Sequence, residues 1–430
     1  RYNLEFVSNL LGPEATRLLA DLRKLQALLR YPREAILDAI SADYGNVPLH
    51  QRCDRTRDQP SKKELTMTAI RGLAFVALTL FNTVASAATI TIVSLASNDI
   101  AYDRTHDKIY ASVPGRAGVG LGNTLTTIDA DTLAIERSVF IGSEPGKLAI
   151  ADDDSVVYAG LDGASAFRSY NTTTHRAGRQ VSLGNDSFFG PRFVEDIEVM
   201  PGRPGTVAVS RRGEGFSPGH LGVAIFDGAV QRPLATEWFG NANNVIGFDS
   251  TGAILYGFNN ETTGYDFNTL SVTDDGVAQI DTVGNMIQGF GGDFRYAGGL
   301  VYATNGRVFD PVTSTLLGTY AGGGLVAPDV ADGIVYYLGL TDGYYGSFAL
   351  RVFDLHTFVM RYSIPLDGLT GGVTSLTLLD DRRVAFRTTN DQIVIVNTVP
   401  VPGALYLGLS GLLVLARGAR RGRKPLPDRR

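Results

Sequence analysis

SNDIAYDRTHDKIYASV, residues 97–113, reads as an apolar alternation, a polar turn and a second apolar strand, and the pattern recurs along the chain. The other copies are PGKLAIADDDSVVYAGL (145–161), VEDIEVMPGRPGTVAVS (194–210), ANNVIGFDSTGAILYGF (242–258), GGDFRYAGGLVYAT (291–304), APDVADGIVYYLGL (327–340) and VTSLTLLDDRRVAFRT (373–388). Alternation with period two places one set of side chains on each face of a strand, so each copy predicts a hairpin. Between copies lies a second strand pair with an acidic or amide residue at its turn. The residues just before that turn are Ile128, Tyr170, Phe226, Val272, Phe309, Phe353 and Val396, spaced by 42, 56, 46, 37, 44 and 43. Four short strands repeated every 40–50 residues or so predict a β-propeller, here with seven blades. Each blade needs a neighbour to cover its apolar faces, which is why such units stack into a closed ring.

Composition agrees. With 44% hydrophobic and 19% charged residues the chain has the balance of a folded protein, and 50 Gly with 21 Phe and 18 Tyr suit many short strands and tight turns. The net charge of -5 gives no electrostatic case for nucleic acid. Cys53 is the single cysteine and precedes the repeats, so the repeats hold neither a disulfide, nor a cysteine nucleophile, nor a thiolate metal site.

Flanking segments complete the expected domain organisation. Residues 1–66 carry leucines at helical spacing (Leu18, Leu22, Leu25, Leu29), interrupted by Pro32, and predict a helical extension. Residues 67–87, MTAIRGLAFVALTLFNTVASA, have an early Arg, an apolar run and small residues at Ala85 and Ala87. That layout predicts a signal peptide cut by signal peptidase before Ala88. Residues 88–398 form the propeller. Its last copy lacks a fourth strand, and ATITIVSL (88–95) has no partner of its own, so the first strand is expected to complete the seventh blade. Residues 399–424 combine Val399-Pro400-Val401-Pro402, a short apolar run and a basic cluster, which predicts a C-terminal transmembrane helix with its end in the cytoplasm. The full fold expectation is therefore all-β, a seven-bladed β-propeller with a helical N-terminal extension and a C-terminal transmembrane helix.

The repeats resemble the YVTN-type seven-bladed propellers of bacterial surface proteins. The tail resembles a PEP-CTERM sorting signal, with Val401 where that motif has Glu, and this implies processing by an exosortase-like enzyme at the cell envelope. RKLQALLRYPREAILDAISADYGN (23–46) separately resembles the N-terminal helices of aldehyde dehydrogenases. No downstream cysteine exists to serve as that family's nucleophile, so its activity is not carried over, and residues 1–66 read as a fusion or a start set too far upstream.

The repeats contain no nucleophile elbow, His-Glu-x-x-His site or P-loop, and the glycine-rich run at Gly118–Gly122 is not followed by a helix. No catalytic residue, metal ligand or cofactor is assigned. His106, His175, His220 and His356 lack ligand spacing and read as solvated turn residues. Asp152, Asp153 and Asp154 occupy a hairpin turn, and Asp129, Asn171, Asp227, Asp310, Asp354 and Asn397 read as turn-formers whose side chains bond the backbone two residues on. The longest spacing falls at the third copy, where Arg211, Arg212, Glu214, Phe216 and His220 are a candidate partner loop. Two functions stay open. One is an exported, surface-anchored, non-catalytic module that binds exopolysaccharide or another envelope protein, with its membrane contact through the C-terminal helix. The alternative is a propeller enzyme of lactonase or lyase type, with acidic or His side chains converging on a metal at the central channel.

Overall fold

The computed structural model describes residues 88–236, 242–341, 346–380 and 382–398. They form seven four-stranded antiparallel units. Blade I comprises Asp99–Asp103, Lys108–Val113, Thr124–Asp129 and Ile135–Phe140. Blades II to VI follow in chain order, their innermost strands being Pro145–Ile150, Phe193–Val199, Val245–Phe248, Phe294–Ala297 and Leu325–Asp329. Blade VII holds Val373–Leu378, Arg383–Thr388 and Gln392–Asn397, and its fourth strand is Thr89–Ser94 from the start of the domain. Ile90 pairs with Val396 and Ile92 with Val394 in an unbroken antiparallel register. The first strand thus joins the two ends of the domain, as the unpaired ATITIVSL segment predicts.

Packing follows from the period-two alternation. Seven apolar clusters occupy the described residues, and each is shared by two consecutive blades. Along one strand, Ile109, Ala111 and Val113 enter the seam between blades VII and I, while Tyr110 enters the seam between I and II. Ala385 likewise faces blade I, whereas its neighbours Val384 and Phe386 face blade VI. All seven residues used to measure the repeat lie in these seams, with Ile128, Phe309, Phe353 and Val396 fully enclosed.

Turns hold the outer hairpins as anticipated at four positions. Asp129 accepts the Thr132 amide at 2.7 Å, Asn171 that of Thr174 at 2.7 Å, Asp310 that of Val312 at 2.8 Å and Asp354 that of Thr357 at 3.0 Å. Asp227 instead pairs with Arg232 and Thr206, and the guanidinium draws its carboxyl down to about 2. The 56-residue spacing is also explained: a small hairpin, Asn185–Asp186 with Gly190–Pro191, is inserted between blades II and III. One irregularity fuses two blades. The outermost strands of III and IV touch at Leu234 and Gly276, making one eight-stranded sheet. Gly276 has φ +133, and a Cβ there would lie 2.0 Å from the Leu234 carbonyl oxygen, so only glycine permits the approach.

The fold expectation needs one correction. The described residues are all-β, their only helical turns being Gly115–Ala117 and Asp162–Ala164, and none of their helices is long and apolar enough to cross a membrane. The helical extension and the transmembrane helix therefore have no counterpart in the described fold. The stretches assigned to them, 1–66 and 399–424, lie outside the described residues, as do Ala85, Ala87 and the motif Val399-Pro400-Val401-Pro402.

If ring closure holds the blades together, removing residues 88–95 uncovers the hydrogen-bonding edge of Gln392–Asn397 and loosens the VII–I seam. The melting temperature should fall by about 10 °C or more. A truncated protein melting within a degree or two of the parent contradicts the closure.

Candidate functional site

The innermost strands surround a channel, and the charges lining it come from separate blades. Asp99 (blade I), Lys147 (II), Asp196 and Glu198 (III), Asp293 and Arg295 (V) begin or extend innermost strands, and Arg387 arrives from the second strand of blade VII. They line one cavity of about 610 Å³. That size admits a small molecule.

Several of these carboxylates are built into the seams. Asp99 accepts the Ile100 and Leu148 amides at 3.0 Å each, reaching from blade I to blade II. Asp196 accepts the Ile246 amide at 2.9 Å, reaching from III to IV. A serine opposite each aspartate makes a second crossing: Ser112 Oγ donates to the Gly146 carbonyl and Ser210 Oγ to that of Asn243, both at 2.7 Å. Asp293 is paired with Arg295 at 3.1 Å and bonds the Phe294 amide at 2.6 Å.

Glu198 has no hydrogen bond to any described residue. Enclosure disfavours its charged form, and with Asp196 and Asp293 nearby its carboxyl is pushed up to about 8. Burial raises Asp196 to about 6, against the pull of Lys147. Asp293 and Asp196 in turn hold Arg295 and Lys147 more firmly protonated. Both cations are exposed to the channel and sit among several charged side chains, whose fields act on them.

A second polar group lies in blades III and IV, at the ends from which their first strands start. His220 is 2% exposed. The Asn243 amide donates to its Nε2 at 3.2 Å, leaving Nδ1 to donate to Glu195 at 2.9 Å. Asn244 Nδ2 then bridges Glu195 and Glu261 at 2.7 and 3.2 Å, and Glu261 accepts the Gly219 amide at 2.6 Å. His220 is therefore an internal strut and not the solvated turn residue expected from sequence.

The structure divides the candidate partner loop. Arg211 is buried, donates to the Gly222 carbonyl at 3.2 Å and has its pKa lowered to about 10 by desolvation. Arg212 pairs with Asp162 and Glu214 and lies over the Phe193 ring, while Phe216 stacks on Phe189. Only Arg212, Glu214 and Phe216 present accessible atoms. Asp153 caps its own turn at Ser155, whereas Asp154 bonds Thr105 and Asp152 bonds the Gly202 amide, tying blade II to blades I and III. No group of three or more His, Cys, Asp or Glu side chains among the described residues is placed to hold a metal.

No family model matches the chain, and no curated protein matches it in sequence. Solved structures do match in fold. The β-propeller domain of Myceliophteria thermophila Cps50 (Swd1) aligns with a TM-score of 0.54 at 13% identity, covering 72% of this chain and 100% of that one. Kuenenia stuttgartiensis hydrazine synthase aligns with a TM-score of 0.52 at 11% identity, covering 71% and 96%. The chain is a β-propeller. An enzyme and a propeller domain stand side by side among its neighbours, so the fold alone selects no activity.

Replacing His220 by Ala strips partners from Glu195 and the Asn243 amide, and should destabilise the protein by about 2–4 kcal/mol in chemical denaturation. Glu198 makes a pH-dependent prediction. Below its ordinary value of 4.5 it is protonated in both states. Between 4.5 and about 8 the unfolded chain releases the proton while the fold retains it, so stability declines as pH rises, and above 8 the penalty is complete. Glu198→Gln should therefore raise the melting temperature at pH 9 by ~2 °C or more and leave it nearly unchanged at pH 4.

Proposed function

We propose that this protein is an exported binding module of a bacterial cell envelope, a non-catalytic propeller processed at both ends. The observation that carries the reading is where the ring closes. Thr89 pairs with Asn397, so the closing strand starts one residue after Ala88 and its partner ends two residues before Val399. Cleavage between Ala87 and Ala88 would leave every described strand in place, and processing at Val399-Pro400-Val401-Pro402 would leave the described strands of blade VII whole.

The binding role rests on how the polar groups are used. Two channel aspartates, Asp99 and Asp196, accept backbone amides across seams, and His220 is committed to an internal network. These arrangements stiffen a scaffold, while the loops at the blade ends stay available to an exopolysaccharide or an envelope protein. Signal peptidase and an exosortase-like enzyme would act on the precursor.

The test is the mature N-terminus. Expressed from Met67 in a Gram-negative host, the protein should be recovered outside the cytoplasm beginning at Ala88, and Ala87→Arg should block that cut. Cytoplasmic protein that retains residues 67–87 would overturn the reading.

A further inference from the structure

Ten charged side chains line the cavity, Arg104, Asp152 and Asp154 besides the seven above, and they are unequally occupied. The aspartates have partners: Asp99 and Asp196 hold backbone amides and Asp293 holds Arg295. Two of the cations, Arg387 of blade VII and Lys147 of blade II, on either side of blade I, have no carboxylate partner among the described residues. Lys147 makes no hydrogen bond or ion pair with any described residue. Arg387 forms no ion pair with any described residue, and its donated hydrogen bonds go from Nη1 alone, to the Ser97 carbonyl at 2.8 Å and the Thr388 carbonyl at 3.4 Å.

The surroundings of Arg387, where blades VII and I meet, concentrate unmet hydrogen bonds. Five buried side-chain atoms lack a partner among the described residues, and three of them, Arg387 Nε, Thr374 Oγ1 and Ser97 Oγ, lie together there. Thr374 is the cross-strand partner of Arg387, and Ser97 supplies the carbonyl that Arg387 bonds. Guanidinium nitrogens only donate, so a partly enclosed arginine with its Nε unmet is costly. Asp99 acts on both Lys147 and Arg387 through its field, but its oxygens are engaged by the Ile100 and Leu148 amides. The fold thus sets two cations on one cavity with no described carboxylate in hydrogen-bond or ion-pair contact with either, although Asp196 and Asp99 act on Lys147, and Asp99 on Arg387, from a distance.

We propose that the central channel binds the oxyanion of a small molecule, a carboxylate or a phosphate, between Arg387 and Lys147. The planar guanidinium suits both geometries, with Lys147 as a mobile second charge. Glu198, on the same cavity and without a protein partner, faces the remainder of such a ligand. The cavity of about 610 Å³ limits the ligand to the size of a metabolite. This assignment does not depend on the export reading, since the channel is the same in any compartment.

The full chain would be titrated by calorimetry with inorganic phosphate and, separately, with succinate, against sodium chloride at matched ionic strength. At least one oxyanion should bind and raise the melting temperature where chloride does not. Phosphate alone, succinate alone or both would separate the two sources of the anionic group. Lys147→Gln, at a side chain that makes no hydrogen bond or ion pair with a described residue, should weaken binding at least tenfold while the protein stays folded. Arg387→Gln should weaken it likewise, and Arg361→Gln, on the exposed outermost strand of blade VI, should not. The proposal is overturned if neither anion binds beyond chloride, or if binding survives Lys147→Gln unchanged.

Discussion

Everything in this molecule depends on the antiparallel pairing of Thr89–Ser94 with Gln392–Asn397. A propeller blade has two apolar faces and cannot bury either alone. Six seams can be filled by neighbours in sequence, but the seventh must join the last blade to the first. Here Leu95, Ile100 and Ile109 meet Ala385, Ile393 and Ile395 across that seam. The pairing that supplies the outer strand of blade VII also sets that contact. Without cysteine in the repeats, no covalent clasp shares the task.

The channel inherits its character from the same geometry. Innermost strands splay from a common axis, so side chains near their starts converge although they are far apart in sequence. Some of that convergence strengthens the ring, as when Asp99 and Asp196 reach the next blade. What is left over, two cations with no contacting carboxylate among the described residues and a Glu198 carboxyl with no hydrogen bond to any of them, goes beyond scaffolding. Hydrophobic seams explain why the molecule folds, whereas the unmet polar groups indicate where it can still bind.

The repeat was legible because its signal is local: the residues before each outer turn, from Ile128 to Val396, all sit in the seams. Ring closure was legible too, since a lone strand at one end matched a missing strand at the other. The channel was missed, although a trace was present. Asp99, Lys147, Asp196 and Asp293 each hold the third position of their repeat copy, where a buried strand would not place a charge by chance. Reading copies one at a time hides this, because only the ring brings those positions together. His220 was misjudged for a related reason: its partners Glu195 and Asn243 are 25 and 23 residues away. Nothing in the sequence around Gly276 announces the bridge to Leu234.

Native-state hydrogen exchange tests the central claim most directly. In a closed ring the hydrogen-bonded amides of Thr89–Ser94 should exchange only when the whole propeller unfolds, with the same free energy as those of Lys108–Val113 and Arg383–Thr388. Exchange of Thr89–Ser94 by independent fraying, orders of magnitude faster while the other two strands stay protected, would contradict the account.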